Sequence, residues 1–168
     1  DMPAAAWAEV EQAAADMQRL GDLSVVAAKS PVAIVIDPVS GWVDDIERQG
    51  AGYRYDAVVF QYYRALRGLG VDVDFVSAGD AQLAGYRLVV VPTMAVVDDA
   101  AFDALQASDG ILLFGPRAGA KTDEFSISDG LPPGRLRDFV PVKVTSVETL
   151  RADCGGSIAY KGAAYESG

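Results

Sequence analysis

The run Gly115-Pro-Arg-Ala-Gly-Ala-Lys-Thr122 succeeds the apolar stretch Ile111-Leu-Leu-Phe114 and fits two chemical frames at once. It is one residue short of the phosphate-binding loop G-x-x-x-x-G-K-[ST]. Such a loop needs inward-facing backbone N–H groups with a helix N-terminus behind them. Here Ala120 stands where the second glycine belongs, and Pro116 deletes an N–H. The next residues, Asp123-Glu-Phe-Ser-Ile-Ser-Asp-Gly130, make a poor helix former. The first five residues also have the frame of a nucleophile elbow, G-x-C-x-G, with Arg117 where the thiol would be. A guanidinium stays protonated at any relevant pH and cannot attack a carbonyl. The chain has no histidine to serve as a base.

Other constellations are weaker. Asp72 and Asp74 are two residues apart on an extended segment, where they could pair as acid and base; solvation at a strand end explains them more simply. Asp44, Asp45 and Glu47 form an acidic cluster that could offer oxygen ligands to a divalent ion or could lie in a solvated loop. Trp42, Tyr53, Tyr55, Tyr62 and Tyr63 concentrate aromatic surface in one region, as a core or as an interface. Cys154, the only cysteine, has no base near it in sequence and reads as a bystander.

These residues must be held by an alternating pattern. Val32–Ile36 is a β-branched run that reads as a strand buried on both faces. A long loop is expected from there to about Gly52. Residues 53–69 read as a helix with Val58, Tyr62, Ala65 and Leu69 inward. Strands are expected at 71–76 and 88–91, then a helix from Asp98 and Asp99 to about Ala107, a strand at 111–114, and a fifth strand at 142–147. Residues 118–133 read as an extended loop, a length that is usually functional. Strands separated by helices imply an α/β fold of three layers around a mostly parallel sheet. Ahead of it, residues 3–20 form a helix capped by Asp1, with Trp7, Val10, Ala14, Met17 and Leu20 at helical spacing and Gly21 ending it.

Composition narrows the function classes. A chain of 168 residues holds one domain and a flanking segment. With 51% hydrophobic residues it can build a core without staples. A net charge of −10 repels phosphate backbones, which speaks against nucleic acid as a partner. No apolar run is long enough to span a bilayer, and no secretory leader is visible, so a cytoplasmic location is expected. The chain opens at Asp1 and stops at Tyr165-Glu-Ser-Gly168, which reads as a piece cut from a longer protein.

The strand turn resembles that of class I glutamine amidotransferase-like domains, without their cysteine and histidine. Four ordered phrases resemble something more specific: Ser30–Trp42 with its D-x-x-S-x-W pattern, "VDFV" and "GYRLVVVPT" within 62–99, and 116–140 with its "PPGRLRD" ending. Together they resemble the middle domain of glycoside hydrolase family 42 β-galactosidases. Departures are confined to turns: Asp109-Gly110 stands for a Gly-Gly pair, and Val140-Pro-Val142 for a "lGv-x-V" phrase. The resemblance implies a flavodoxin-like, amidotransferase-like trimerisation domain at 30–150. Residues 1–29 would be a helical connector from a preceding TIM barrel, and 151–168 the start of a linker to a C-terminal β domain. The barrel of such enzymes carries two catalytic glutamates of a retaining mechanism, and no glutamate here matches them. The expected role is therefore non-catalytic self-association into a homotrimer beside the rest of the parent chain. No catalytic, cofactor or metal residue is expected. Trp42, Arg117 and Arg135 are candidate interface residues. The competing expectation is a degenerate amidotransferase-like domain binding a small molecule or nucleotide at the carboxyl ends of the strands.

Overall fold

The computed structural model describes residues 4–21, 29–48, 50, 52–79, 82–127, 130–147 and 157–166. The elements are α1 (Ala4–Leu20), β1 (Val32–Ile36), α2 (Pro38–Ile46), α3 (Tyr55–Gly68), β2 (Val73–Ser77), β3 (Leu88–Val91), α4 (Asp99–Gln106), β4 (Ile111–Phe114), a 3-10 turn (Gly134–Asp138), β5 (Ser157–Tyr160) and β6 (Ala163–Glu166). β1 to β4 form one sheet in the order β2-β1-β3-β4, and all its pairings are parallel. This is the expected α/β architecture, with the strand order of a flavodoxin-like sheet. The order reverses between β1 and β3, so their carboxyl ends open a crevice.

Two cores lie on opposite faces of the sheet. Ala33, Val35, Val89 and Val91 pack with Ala101 and Leu105 of α4 and with Leu136 of the 3-10 turn. Val32, Ile34 and Val90 pack with Val59, Tyr62 and Leu66 of α3. Both faces of β1 and β3 are therefore covered, which is why their sequences are continuously apolar rather than alternating. Glycines hold β4 against β3 at both ends. A side chain at Gly110 would overlap the carbonyl of Tyr86, and one at Gly115 the carbonyl of Pro92.

Several expectations change. The loop expected up to Gly52 contains α2. Its start is well specified: Asp37 caps it by accepting from the N–H groups of Val39 and Ser40, and Pro38 occupies the first helical position. The inner face of α3 is rotated from the expected one: Val59 is buried, Tyr55 and Leu66 pack inward, and Leu69 is exposed beyond the helix end. The fifth strand at 142–147 is absent. Residues 141–147 are exposed and pair with no strand. Their β-branched alternation is not enough by itself: Val144 N–H bonds back to Pro132 O at 2.9 Å, near the 3-10 turn, rather than to a strand of the sheet. A hairpin that was not anticipated joins β5 to β6. Lys161 and Gly162 at its tip both have positive φ, 48° and 82°, as a type I′ turn requires. α1 lies where expected; its proposed cap, Asp1, is outside the described residues.

Candidate functional site

The carboxyl ends of β1, β3 and β4 bring together Asp37, the segment 92–96 and the turn at Gly115–Gly119. The turn has the backbone of an elbow. Arg117 at its centre adopts φ 64°, the left-handed region that a non-glycine residue enters at a cost. The loop beyond it is stitched down by backbone bonds: Gly119 N–H donates to Met94 O at 2.8 Å and Lys121 N–H to Ala95 O at 2.9 Å. Val96 and Lys121 pair as an isolated parallel bridge.

Both cations of this loop are taken by α2 and the residue that ends it. Arg117 Nη1 donates to Asp44 Oδ1 in a pair whose side chains are 13% and 5% exposed. The guanidinium also lies over the Tyr53 ring, 5.6 Å from its centroid. Lys121 Nζ donates to Glu47 Oε2 at 2.5 Å. Two carboxylates three residues apart thus receive two cations four residues apart on the loop. Burial pushes the Asp44 carboxyl up from its ordinary range, and the charge and hydrogen bond of Arg117 offset that only in part. Glu47 is held below its usual range by its bond from Lys121. Burial also raises the Tyr53 phenol. Asp44 Oδ2 and the Tyr53 hydroxyl have no hydrogen-bond partner among the described residues.

Ser40 ties α2 to the sheet. Its hydroxyl donates to Asp37 Oδ2 at 2.5 Å and accepts from Ala95 N–H at 2.6 Å, with Ser40 only 1% exposed. Asp37 is raised by burial, against the lowering effect of the Ser40 bond. Asp37 therefore caps a helix and orients a hydroxyl.

The remaining candidates separate. Asp72 and Asp74 do not act as a pair. Arg67 donates to Asp72, while Asp74 accepts from Ser30 and from the Tyr86 hydroxyl. Asp45 faces Arg48 at 3.8 Å on the surface. Among the described residues no group of three or more His, Cys, Asp or Glu side chains converges as a metal site. Cys154 lies outside the described residues. Trp42 is 64% exposed on α2. Arg135 pairs with Asp99 at 2.6 Å and lies over Phe102, 4.4 Å from the ring centroid. Arg117 is internal, and its charge is already committed within the fold.

A phosphate has no cradle here. Lys121 is paired, and residues 116–119 form a turn rather than the start of a helix. A nearby opening is a groove of about 500 Å³ between α3 and Pro116, lined by Tyr53, Ala57, Val58, Gln61, Tyr62 and Ala65. The geometry amounts to a strained turn with an inert, neutralised cation at the position where attack would occur.

Sequence comparisons agree with that arrangement. Residues 30–168 match the family model described as the β-galactosidase trimerisation domain. β-Galactosidase BgaA of a Thermus species is 47% identical over 123 residues, which is 73% of this chain and 19% of that protein. A β-galactosidase of Thermus thermophilus is 45% identical over the same length, again 73% of this chain and 19% of the relative. Among solved structures, β-galactosidase from the psychrophilic Marinomonas ef1 superposes with a TM-score of 0.80 at 33% identity, over 85% of this chain and 22% of that one. The enzyme of the Antarctic haloarchaeon Halorubrum lacusprofundi gives 0.74 at 32% identity, over 83% and 21%. The chain thus spans about one fifth of the length of these relatives, 19% of each Thermus protein. By family match, identity and superposition together, the chain belongs to the β-galactosidase trimerisation-domain family.

Proposed function

We propose that this chain is the self-association module of a longer β-galactosidase, holding three copies together and supplying none of the residues that cleave the glycosidic bond. The match of residues 30–168 to a trimerisation-domain family carries the reading. The elbow supports it: a guanidinium neutralised by Asp44 occupies the nucleophile's place, and the chain has no histidine. Hydrolysis of terminal β-D-galactosides belongs, in this reading, to a barrel elsewhere in the parent chain, with two carboxylates of its own. Residues 1–29 connect from that barrel, 30–150 are the module, and 151–168 lead toward a C-terminal β domain. The apolar stripe of α1, with Trp7, Val10, Met17 and Leu20 exposed, supports a neighbour on that side. Its partners are other copies and the rest of its own chain. Among the described residues no helix is long and apolar enough to cross a membrane, and the reading places the parent in the cytoplasm.

Sedimentation and a nitrophenyl β-D-galactoside assay test the proposal together. The parent protein is expected to sediment as three copies and to turn over the galactoside, whereas the 168-residue chain alone releases no nitrophenol above a blank. Turnover by the chain alone, or a parent that stays monomeric at micromolar concentration, overturns it.

A further inference from the structure

We propose that the three-fold contact is made by the α3 face of the sheet, with an aromatic ledge beside β2 of one copy seated in the groove beside β4 of the next. This rests on the reading of the chain as a trimerisation module. The two faces of the sheet are covered unequally. α4, the 3-10 turn and the loops close one of them. The other carries α3, and a helix about 10 Å across cannot cover four strands whose outer members are about 14 Å apart. The uncovered residues lie where that geometry puts them, on both flanks. The register pairs Ile34 with Phe75 on β2, and Leu88 and Val90 with Ile111 and Leu113 on β4, so all three flank residues point to the α3 side. Phe75 is 52% exposed, Ile111 71% and Leu113 43%.

The two flanks differ in shape. On the β2 side, Phe60, Tyr63 and Phe75 form a continuous aromatic ledge, with ring centroids 6.3 Å and 5.4 Å apart. On the β4 side lies the groove between α3 and Pro116, where the small side chains of Ala57 and Ala65 allow close approach. A closed ring of three cannot be built from one self-complementary patch; each copy must offer two different surfaces, one to each neighbour. One ledge and one groove, both inside the matched span 30–168, meet that requirement. The flank residues Phe60, Tyr63, Phe75, Ile111 and Leu113 are uncharged, which matters because the 168 residues of each copy's module carry a formal charge of −10. Aromatic anchors seated in a groove are also what dominates binding energy at interfaces.

The test uses the complete parent protein and two charged variants, Leu113→Asp on the β4 flank beside the groove and Phe75→Asp on the ledge. Each alone is expected to fall from three copies to one in sedimentation. Mixed in equal amounts they are expected to form dimers, because the intact groove of the Phe75→Asp copy still accepts the intact ledge of the Leu113→Asp copy. A second pair, Ile111→Lys and Phe60→Lys, repeats the pattern at positions 71% and 58% exposed, where folding is not at stake. A trimeric parent whose variants all remain trimeric overturns the assignment of the surface and leaves self-association standing; the flanks then face another part of the same chain. Monomeric variants that do not pair on mixing overturn the ledge-in-groove arrangement. A parent that is itself monomeric removes the reading on which the assignment rests.

Discussion

At the scale of single residues, the ion pair between Arg117 and Asp44 dominates the elbow. Replacing Arg117 by alanine strands a carboxylate that is 4% exposed, and the expected loss of stability is about 3–5 kcal/mol in urea unfolding. A double replacement of Asp44 and Arg117 by leucine and methionine is expected to recover most of it, since two buried charges are removed together. The pH dependence has a definite sign. The folded-state pKa of Asp44 lies above its ordinary value, so the folded state keeps this proton where the unfolded chain has released it. The charge therefore weighs on stability near neutrality and is relieved as pH falls through the folded pKa. Without Arg117 the pKa rises further. The deficit of Arg117→Ala is then largest near neutral pH and shrinks as pH approaches the unfolded value of about 3.9, which unfolding series at stepped pH measure. The sequence carried part of this. A guanidinium at a nucleophile's place, with no imidazole to help, is a local statement about which reaction is absent. The partner of Arg117 was not legible, because Asp44 lies 73 residues away and nothing in a sequence pairs charges across a fold.

At the scale of elements, α2 is the clearest lesson. Its start is written in Asp37-Pro38, a cap followed by a proline, but its nine residues include Gly41 and three valine or isoleucine residues, which read poorly as a helix. The helix persists because tertiary bonds hold it, above all the Ser40 hydroxyl shared between Asp37 and Ala95. Ser40→Ala is expected to cost about 1–3 kcal/mol, since it leaves the buried Ala95 N–H without an acceptor. Thermal unfolding of this variant beside a surface control such as Ser77→Ala checks the size of the effect. The strands β1, β3 and β4 were legible to the residue because continuous apolar runs stopped by Asp37, Pro92 and Gly115 have few other readings. The segment 142–147 shows the opposite case. Alternating β-branched residues specify a strand only if an edge is within reach, and that depends on where the preceding turn delivers the chain.

At the scale of the whole molecule, charge and shape act against each other. Three copies of this 168-residue chain bring together three times a formal charge of −10, so their association is expected to strengthen as salt is added. Raising salt from about 10 mM to about 100 mM shortens the screening length from about 30 Å to about 10 Å, and the trimer dissociation constant measured by sedimentation should fall several-fold across that range. A contact that relied on ion pairs between copies would weaken instead. The glycine-bounded fourth strand has a consequence of its own. With Gly110 and Gly115 flush against the backbone of β3 at either end, β4 works as a ruler of fixed length. Gaining or losing one residue inside it would swap its two sides and push a side chain into a neighbouring carbonyl. The direction in which Ile111 and Leu113 point and the place where the elbow begins are therefore locked in phase, and neither can drift without the other.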